Sequence, residues 1–106
     1  MNYLIAFSAR SERDPDSLVG WMAEVAPHAL GPWYTRLMAA IKSLDRLPLH
    51  CSRIPETDTL GLEVRELIFG RKHGALRIIF RLESQTVEIL RIVNASRGPL
   101  RVKDLI

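Results

Sequence analysis

Residues 74 to 93 read GALRIIFRLESQTVEILRIV, which is two runs of branched aliphatic residues separated by a short polar segment. Such runs favour β-strands, and a two-residue gap between them is typical of a tight hairpin turn. If Ser84 and Gln85 form the turn, the geometry of two-residue hairpins sets the strand register. The predicted cross-strand pairs are Leu82 with Val87, Arg81 with Glu88, Ile79 with Leu90, and Arg77 with Ile92.

This register gives the hairpin two different faces, because successive side chains of a strand point to opposite sides. One face is almost entirely apolar, and helices are expected to cover it. Its members are Leu76, Ile78, Phe80, Leu82, Val87, Ile89 and Arg91. Arg77 and Arg81 then point away from the helices. We expect Arg81 to pair with Glu88, and Arg91 to pair with a helix carboxylate such as Glu24.

Two further strands are predicted outside the hairpin. Residues 63 to 69, EVRELIF, precede it and are separated from it by the turn-like segment GRKHG. Residues 3 to 7 form a short apolar run that indicates a first strand. The segment from Leu47 to Gly61 contains two prolines and shows no period. It therefore predicts a surface connection.

Two amphipathic helices are predicted between the first strand and this connection. Asp14 and Pro15 are typical of a helix start, as cap and first helical residue. Residues 31 to 48, GPWYTRLMAAIKSLDRLP, carry apolar residues at three- and four-residue spacing. Trp21 and Trp33 lie on the apolar faces of the two helices, and we expect them in the core. If exposed, they would favour a groove for a partner's helix.

The predicted order of elements is β-α-α-β-β-β. It indicates an α+β fold in which a helical hairpin packs on one face of a small, mainly antiparallel sheet. The chain has 106 residues, of which 47% are hydrophobic and 25% are charged. These values are typical of one globular domain, so residues 1 to 106 are expected to fold as a single unit.

Composition also excludes several classes of protein. The single cysteine, Cys51, cannot form an internal disulfide or a cysteine-based metal motif, and the three histidines show no metal-ligand spacing. We expect no metal and no cofactor. The apolar runs are too short for a signal peptide or a membrane span. The expected location is therefore the cytoplasm, with no membrane partner.

Charge is distributed unevenly along the chain. Residues 1 to 60 contain six Lys or Arg against seven Asp or Glu, whereas residues 61 to 106 contain nine against five. Twelve of the fifteen basic residues are arginine, whose planar guanidinium favours paired contacts with carboxylate or phosphate. A basic C-terminal half permits binding to nucleic acid without establishing it.

The C-terminal half resembles a known family. Residues 61 to 100 read GLEVRELIFGRKHGALRIIFRLESQTVEILRIVNASRGPL. This stretch, after a short strand and a helical hairpin, is similar to the RelE/ParE family of bacterial toxins, with its Gly-Leu-Arg-Glu-Leu, Tyr-Arg-Ile-Leu-Tyr-Arg and Val-Glu-Ile-Leu-Arg-Val motifs. The resemblance spans almost the whole chain and implies the same α+β fold.

The resemblance implies a toxin of a type II toxin–antitoxin module. In such modules a cognate antitoxin binds and neutralises the toxin, and the system inhibits growth or stabilises plasmids. RelE-type members cleave mRNA on the ribosome, whereas ParE-type members poison DNA gyrase. The fold alone does not separate the two activities.

Several positions carry the family's functional residues only in part. Arg77 matches the arginine of the Tyr-Arg-Ile motif, which in RelE-type members serves the scissile phosphate, but Leu76 replaces the tyrosine. Arg97 lies near the position of a further family arginine. The RelE-type lysine pair is absent, because EVRELIF places Arg65 at that strand, and the C-terminal tail has no tyrosine. The histidine and arginine of many ParE-type members are replaced by NASRG.

These positions lead to three hypotheses. The leading one is a toxin nearer the ParE branch, with Arg77, Arg81, Arg97, Trp21 and Trp33 as candidate contacts to the target or the antitoxin. The second is a ribosome-dependent mRNA endonuclease with Arg65, Arg77 and Arg97 on one concave sheet face. Arginine stays protonated, so these residues would stabilise charge without acting as a base. The third is a degenerate, non-toxic member that still binds antitoxin.

Overall fold

The computed structural model describes residues 2–54, 63–70, 75–97 and 100–105. The strands are β1 (Leu4–Phe7), β2 (Ser52–Arg53), β3 (Val64–Phe69), β4 (Leu76–Glu83) and β5 (Thr86–Asn94). The helices are α1 (Asp14–Val25), α2 (Leu30–Lys42) and α3 (Val102–Leu105). The predicted strands and the helical hairpin are all present, whereas β2 and α3 are additions that the sequence pattern did not predict. None of the helices in the described ranges is long and apolar enough to cross a membrane.

The five strands form one sheet in the order β1-β5-β4-β3-β2. β1 runs parallel to β5, and every other neighbouring pair is antiparallel. The predicted mainly antiparallel sheet is therefore confirmed. The parallel pairing of β1 with β5 follows from the connection between them, because the two helices return the chain across one face of the sheet before β3 begins.

The helices cover one face of the sheet and build the larger apolar core there. α2 contributes Trp33, Leu37 and Ile41, all buried, and Leu44 follows in the next turn. Their spacing of three and four residues places them on one side of the helix. They pack against buried side chains of β4 and β5, namely Leu76, Ile78, Phe80, Val87, Ile89 and Ile92. The apolar face predicted for the hairpin is thus the core face.

α1 packs less deeply than α2, since none of its residues is buried. Leu18, Val19 and Met22 are partly buried against the core, whereas Trp21 is 41% exposed and Val25 is exposed. The prediction of a core position is confirmed for Trp33 and wrong for Trp21. Helical spacing identified the right general face of α1, but α1 lies at the edge of the layer, where that face is only half covered.

The hairpin register changes at a β-bulge. Near the turn the predicted pairs Leu82 with Val87 and Arg81 with Glu88 are confirmed, and Ser84 has the positive φ of 56° that a primed two-residue turn requires. Further along, the structure pairs Ile79 with Arg91, Ile78 with Ile92, and Arg77 with Val93. The predicted pairs of Ile79 with Leu90 and Arg77 with Ile92 are therefore wrong.

Because of the bulge, Arg91 and Ile92 of β5 each lie on the sheet face opposite to the predicted one. A bulge places two residues of one strand opposite one residue of its partner, so the alternation is shifted beyond it. Ile92 joins the helix-side core, and Arg91 shares the opposite face with its partner Ile79. The prediction that Arg91 lies on the helix-covered face is wrong for this reason.

A second, smaller apolar cluster occupies the face opposite the helices. It comprises Ile54, Val64, Ile79, Leu90, Val93, Leu100 and Leu105. Leu100 and Leu105 belong to the C-terminal segment, so this segment covers part of the face that the hairpin alone would leave open. Two buried leucines hold the segment on the sheet.

The connection after α2 is more ordered than predicted. Pro48–His50 forms a 3-10 turn, Ser52–Arg53 pairs with β3, and Ile54 is buried in the second cluster. A two-residue strand is too short to leave an alternating pattern in the sequence. The rest of the predicted surface connection, residues 55 to 61, lies outside the described residues, as does most of the GRKHG turn.

Candidate functional site

Arg77 lies on β4, on the face opposite the helices. Its side chain is 11% exposed and forms a two-point ion pair with Glu66 of β3, with Nε to Oε1 at 3.0 Å and Nη2 to Oε2 at 3.3 Å. Glu66 is the cross-strand partner of Ile79, which places its carboxylate within diagonal reach of Arg77. A fork-like pair of this kind fixes the plane of the guanidinium. Arg77 is therefore held against the sheet, with little of its surface open to a partner.

Arg81 lies on the same face, nearer the hairpin turn, and is more open. Its Nε donates to Glu88 Oε1 at 2.6 Å and its Nη2 to Glu83 Oε2 at 3.1 Å. The predicted pair with Glu88 is confirmed. The hydrogen bond to Glu88 raises the pKa of Arg81 above its usual value. Partial burial lowers this pKa, and the negative charges of Glu88 and Glu83 raise it. With 36% of its side chain exposed, Arg81 keeps a guanidinium edge in solvent.

Arg65 lies on the other side of the sheet from Arg77. Its cross-strand partner is Phe80, which belongs to the helix-side core, and cross-strand partners share a face. Arg65 Nη1 donates to the Cys51 carbonyl at 2.7 Å, and Nη2 donates to Glu63 Oε1 at 2.6 Å. The hypothesis that Arg65 and Arg77 share one concave sheet face is therefore wrong, because Arg77 pairs with Ile68, and Ile68 lies three residues from Arg65 on β3 and so points to the other face.

Arg65 instead ties the connection after α2 to the sheet. Burial raises the pKa of the Cys51 thiol, and the nearby positive charge of Arg65 opposes this shift. Among the described residues, Arg65 Nε is buried without a hydrogen-bond partner. Arg65 is tolerated on a largely apolar face because its two Nη groups donate hydrogen bonds to the Cys51 carbonyl and the Glu63 carboxylate.

Arg97 ends a 3-10 turn, Ala95–Arg97, that directly follows β5. Asn94 stabilises this turn, because its Oδ1 accepts hydrogen bonds from the Ser96 N–H at 2.9 Å and the Ser96 hydroxyl at 2.7 Å. Asn94 and Ser96 thus have a structural part in the NASRG segment. The side chain of Arg97 lies outside the described part of the chain, so its predicted contact role stays a prediction.

The structure adds a charged cluster that sequence reasoning found only in part. Arg91 Nε and Nη2 donate to Asp14 Oδ2 and Oδ1 at 2.9 and 3.2 Å, and Nη1 donates to the Asp104 carbonyl at 2.8 Å. The Ile92 N–H also donates to Asp14 Oδ2, at 2.8 Å. Arg91 therefore does pair with a helix carboxylate, but with Asp14 at the start of α1 and not with the predicted Glu24.

The position of Asp14 follows from the length of β1. The pairing of β1 with β5 reaches only Ile89, so the edge of β5 beyond it has no strand neighbour. The Asp14 carboxylate occupies this place and accepts the Ile92 N–H that a longer β1 would have bound. Asp14 makes no side-chain cap of its own helix, contrary to the sequence prediction. The cluster joins β5, α1 and the C-terminal segment.

The helical hairpin presents an apolar surface to solvent. Trp21, Val25 and Tyr34 are exposed, and a shallow cavity of about 460 Å³ lies between the helices, lined by Val19, Leu30, Gly31, Tyr34 and Thr35. Of the two tryptophans predicted as contacts, Trp21 is part of this surface, whereas Trp33 is 6% exposed and lies in the core. The described residues contain no group of three or more His, Cys, Asp or Glu placed to hold a metal ion.

Comparison with known proteins finds a likeness among solved structures. No protein-family model matches the chain, and no curated protein matches its sequence. A solved structure described as the chromosomal ParDE TA system from P. aeruginosa contains a chain that superposes with a TM-score of 0.67 at 18% sequence identity. The match covers 87% of this chain and 95% of that chain. The chain has a RelE/ParE-like fold.

This fold assignment confirms the architecture predicted from the sequence. The coverage of both chains means that the sheet and the helical hairpin are shared, and not one supersecondary motif alone. At 18% identity the likeness concerns the backbone arrangement, so the roles of individual side chains rest on the contacts of this chain.

Proposed function

We propose that this chain is the toxin of a type II toxin–antitoxin module and that a cognate antitoxin neutralises it by binding. The observation that carries the proposal is the fold likeness to a chain of a ParDE TA system across 87% of this chain and 95% of that one. The motif resemblance in residues 61 to 100 supports it independently, because it comes from the sequence and not from the superposition.

The antitoxin is proposed to dock on the helical hairpin. Trp21, Val25 and Tyr34 are exposed apolar residues of the two helices, and Tyr34 also lines the cavity between α1 and α2. Contiguous exposed apolar surface is typical of interaction sites, and an amphipathic helix binds such a groove through its apolar face. Trp21 is the residue of this surface that fits an anchor best, since buried tryptophans dominate interface energetics.

DNA gyrase is the proposed target, in preference to ribosome-bound mRNA. An mRNA endonuclease needs groups that converge on one phosphate to stabilise its developing charge. Arg65 and Arg77 lie on opposite faces of the sheet, and each donates to a carboxylate of the chain itself. The absence of the RelE-type lysine pair from β3 points the same way. Arginines on opposite faces suit a toxin that inhibits its target by binding better than one that cleaves RNA.

Arg81 is the proposed target contact on the face opposite the helices, and Arg77 positions the surface around it. Arg81 keeps 36% of its side chain exposed, whereas Arg77 is fixed by Glu66. Arg97 is proposed to contribute from the turn after β5. Both the antitoxin and the proposed target are cytoplasmic, so the toxin would inhibit growth from the cytoplasm.

Induced expression in a bacterial host tests the proposal. Expression of the chain alone should arrest growth, and co-expression with the product of the adjacent gene should restore it. A stop codon early in the reading frame is the control for the burden of expression. Normal growth in every arm, with the protein shown to accumulate in folded form, would contradict the proposal.

The docking surface is tested in the same assay. Trp21→Lys should leave growth arrest intact and weaken the restoration by the antitoxin, because it removes an aromatic anchor from the exposed surface. Ser17→Lys introduces the same charge at an exposed position of the same helix and should change neither readout. Equal restoration with both variants would show that the antitoxin docks elsewhere.

A further inference from the structure

A group of basic side chains meets at the end of the sheet where β1 stops. Arg10 and Arg13 line a surface cavity of about 500 Å³, together with Ser8, Ala9 and Asp14. Arg10 Nη1 donates to the Lys103 carbonyl at 2.6 Å, which brings the C-terminal segment beside the cavity. Arg101 and Lys103 lie on that segment. We refer to Arg10, Arg13, Arg101 and Lys103 as the basic patch; all four residues are exposed.

The carboxylates nearest to the basic patch are largely engaged elsewhere. Asp14 is paired with Arg91 and accepts the Ile92 N–H, and Asp104 is 8% exposed and accepts the Arg101 N–H at 2.8 Å. Two exposed carboxylates, Glu12 and Asp16, lie on the same stretch as Arg13. The four exposed cations of the patch therefore outnumber the two exposed carboxylates that accompany them in the described chain.

Three cations of the patch have no role in holding the fold. The side chains of Arg13, Arg101 and Lys103 make no hydrogen bond or ion pair within the described residues, in contrast to the arginines of the sheet. Arg10 differs, because it anchors the C-terminal segment. The patch thus combines Arg10 and Arg13 at the cavity with Arg101 and Lys103 on the segment that Arg10 holds beside it.

The surroundings of the patch distinguish between two kinds of anionic partner. Protein partners bind through apolar and aromatic anchors, and the exposed large apolar residues of the described chain all lie outside residues 8 to 16 and 100 to 105. A phosphodiester backbone needs no such anchor, because its affinity comes from cations that replace condensed counterions. Arginine, which makes up three of the four residues, matches phosphate oxygens with paired N–H donors.

We propose that the basic patch binds the phosphate backbone of a nucleic acid, without reading its sequence. None of its four residues belongs to the proposed antitoxin surface on α1 and α2 or to the pair Arg77 and Arg81 on β4. Its binding to nucleic acid does not depend on toxicity. A toxin whose target works on nucleic acid would be concentrated near that target by such a surface.

Fluorescence anisotropy of the purified full chain tests this proposal. The probes are a short fluorescein-labelled DNA duplex and a single-stranded RNA of equal length, which separate the two sources of phosphate. The logarithm of the association constant should fall linearly with the logarithm of salt concentration between about 50 and 200 mM. The triple variant Arg13→Glu, Arg101→Glu, Lys103→Glu should weaken binding about tenfold or more and lower the salt slope by about 3, near one for each cation.

Arg36→Glu is the control for one charge reversal, because Arg36 is exposed on α2 and the substitution changes the net charge by −2, against −6 for the triple variant. It should reduce affinity by less than about threefold. If the triple variant is unstable by circular dichroism, Arg13→Gln with Lys103→Gln removes two cations without adding negative charge, and the salt slope should fall by about 2.

Two outcomes would overturn the proposal. The first is unchanged affinity of the patch variants for both probes, or an equal loss with Arg36→Glu. The second is displacement of the labelled DNA by a poly-glutamate peptide as effectively as by unlabelled DNA of the same charge, which would indicate an acidic protein segment as the partner. Neither outcome bears on growth arrest, so the result is independent of the proposed toxin function.

Discussion

The two faces of the sheet are built from the same strands but are stabilised in different ways. On the helix-covered face, Leu76, Ile78 and Phe80 are buried and pack against α2. On the opposite face, apolar residues alternate with arginines that are paired to Glu66, Glu88 and Asp14. The first face depends on packing, and the second depends on specific partners.

This difference explains why arginines occur in strands that look like core. A guanidinium in a half-buried position is tolerated when its donors reach carboxylates or carbonyls, as those of Arg77, Arg81 and Arg91 do. The partners of Arg77 and Arg81 lie on neighbouring strands, whereas that of Arg91 is 77 residues away. The face opposite the helices therefore links distant parts of the chain.

The largest effect is expected for Phe80→Ala on the packed face. Phe80 is fully buried, so its removal leaves a cavity and should lower the free energy of unfolding by about 3–5 kcal/mol. Ile68→Ala on the opposite face is the comparison, since Ile68 is exposed, and it should cost less than about 1 kcal/mol. Urea unfolding measures both. Equal losses would contradict the assignment of the main core to the helix-covered face.

Asp14→Ala should have the next largest effect. It removes the carboxylate from Arg91 and from the Ile92 N–H, both of which are buried, and should cost about 2–4 kcal/mol. Asp16→Ala, at an exposed position of the same helical turn, should cost less than about 0.5 kcal/mol. Similar losses for both variants in urea unfolding would indicate a general effect at the helix start and not the cluster with Arg91.

Glu66→Gln should have an intermediate effect. The amide keeps the shape of the side chain but removes the negative charge that faces Arg77, at a cost of about 1–2 kcal/mol. Thermal unfolding followed by circular dichroism measures the change. Glu83→Gln is the control, because Glu83 is mostly exposed, and an equal loss with that variant would show that burial of the Arg77 pair contributes little.

The smallest effect is expected for Glu88→Gln. The pair with Arg81 is partly exposed, and exposed cross-strand ion pairs contribute about 0.2–1 kcal/mol. Because salt screens exposed charges, the difference from the unmodified chain should shrink in concentrated salt. A loss that is larger than that of Glu66→Gln and independent of salt would reverse the order of the two pairs.

Much of the fold was predictable from local patterns. The hairpin turn, the helix-side strand residues and α2 all follow from alternation, turn chemistry and helical spacing, and the Arg81 pair with Glu88 follows directly from the turn. The bulge was not predictable, because Leu90 and Ile92 are both apolar and either one could face the helix-side core. Strand β2 was missed because two residues carry no period.

The site was less predictable than the fold, because its contacts are long range. The residues around Asp14 predict a helix cap. Only the structure shows that β1 ends at Phe7, so that the Asp14 carboxylate accepts the Ile92 N–H at the open edge of β5. Arg65 and Arg77 occupy neighbouring strands in the sequence pattern, and only the register reveals that they lie on opposite faces. The resemblance indicated the right fold but could not place these side chains.

A gyrase supercoiling assay run beside a ribosome-dependent mRNA cleavage assay tests the proposed function most directly. The purified chain should inhibit supercoiling of a relaxed plasmid, and the product of the adjacent gene should restore it, while mRNA on ribosomes stays intact. Undisturbed supercoiling together with cleavage of ribosome-bound mRNA would contradict the account. It would show that the arginines act in catalysis despite lying on opposite faces of the sheet.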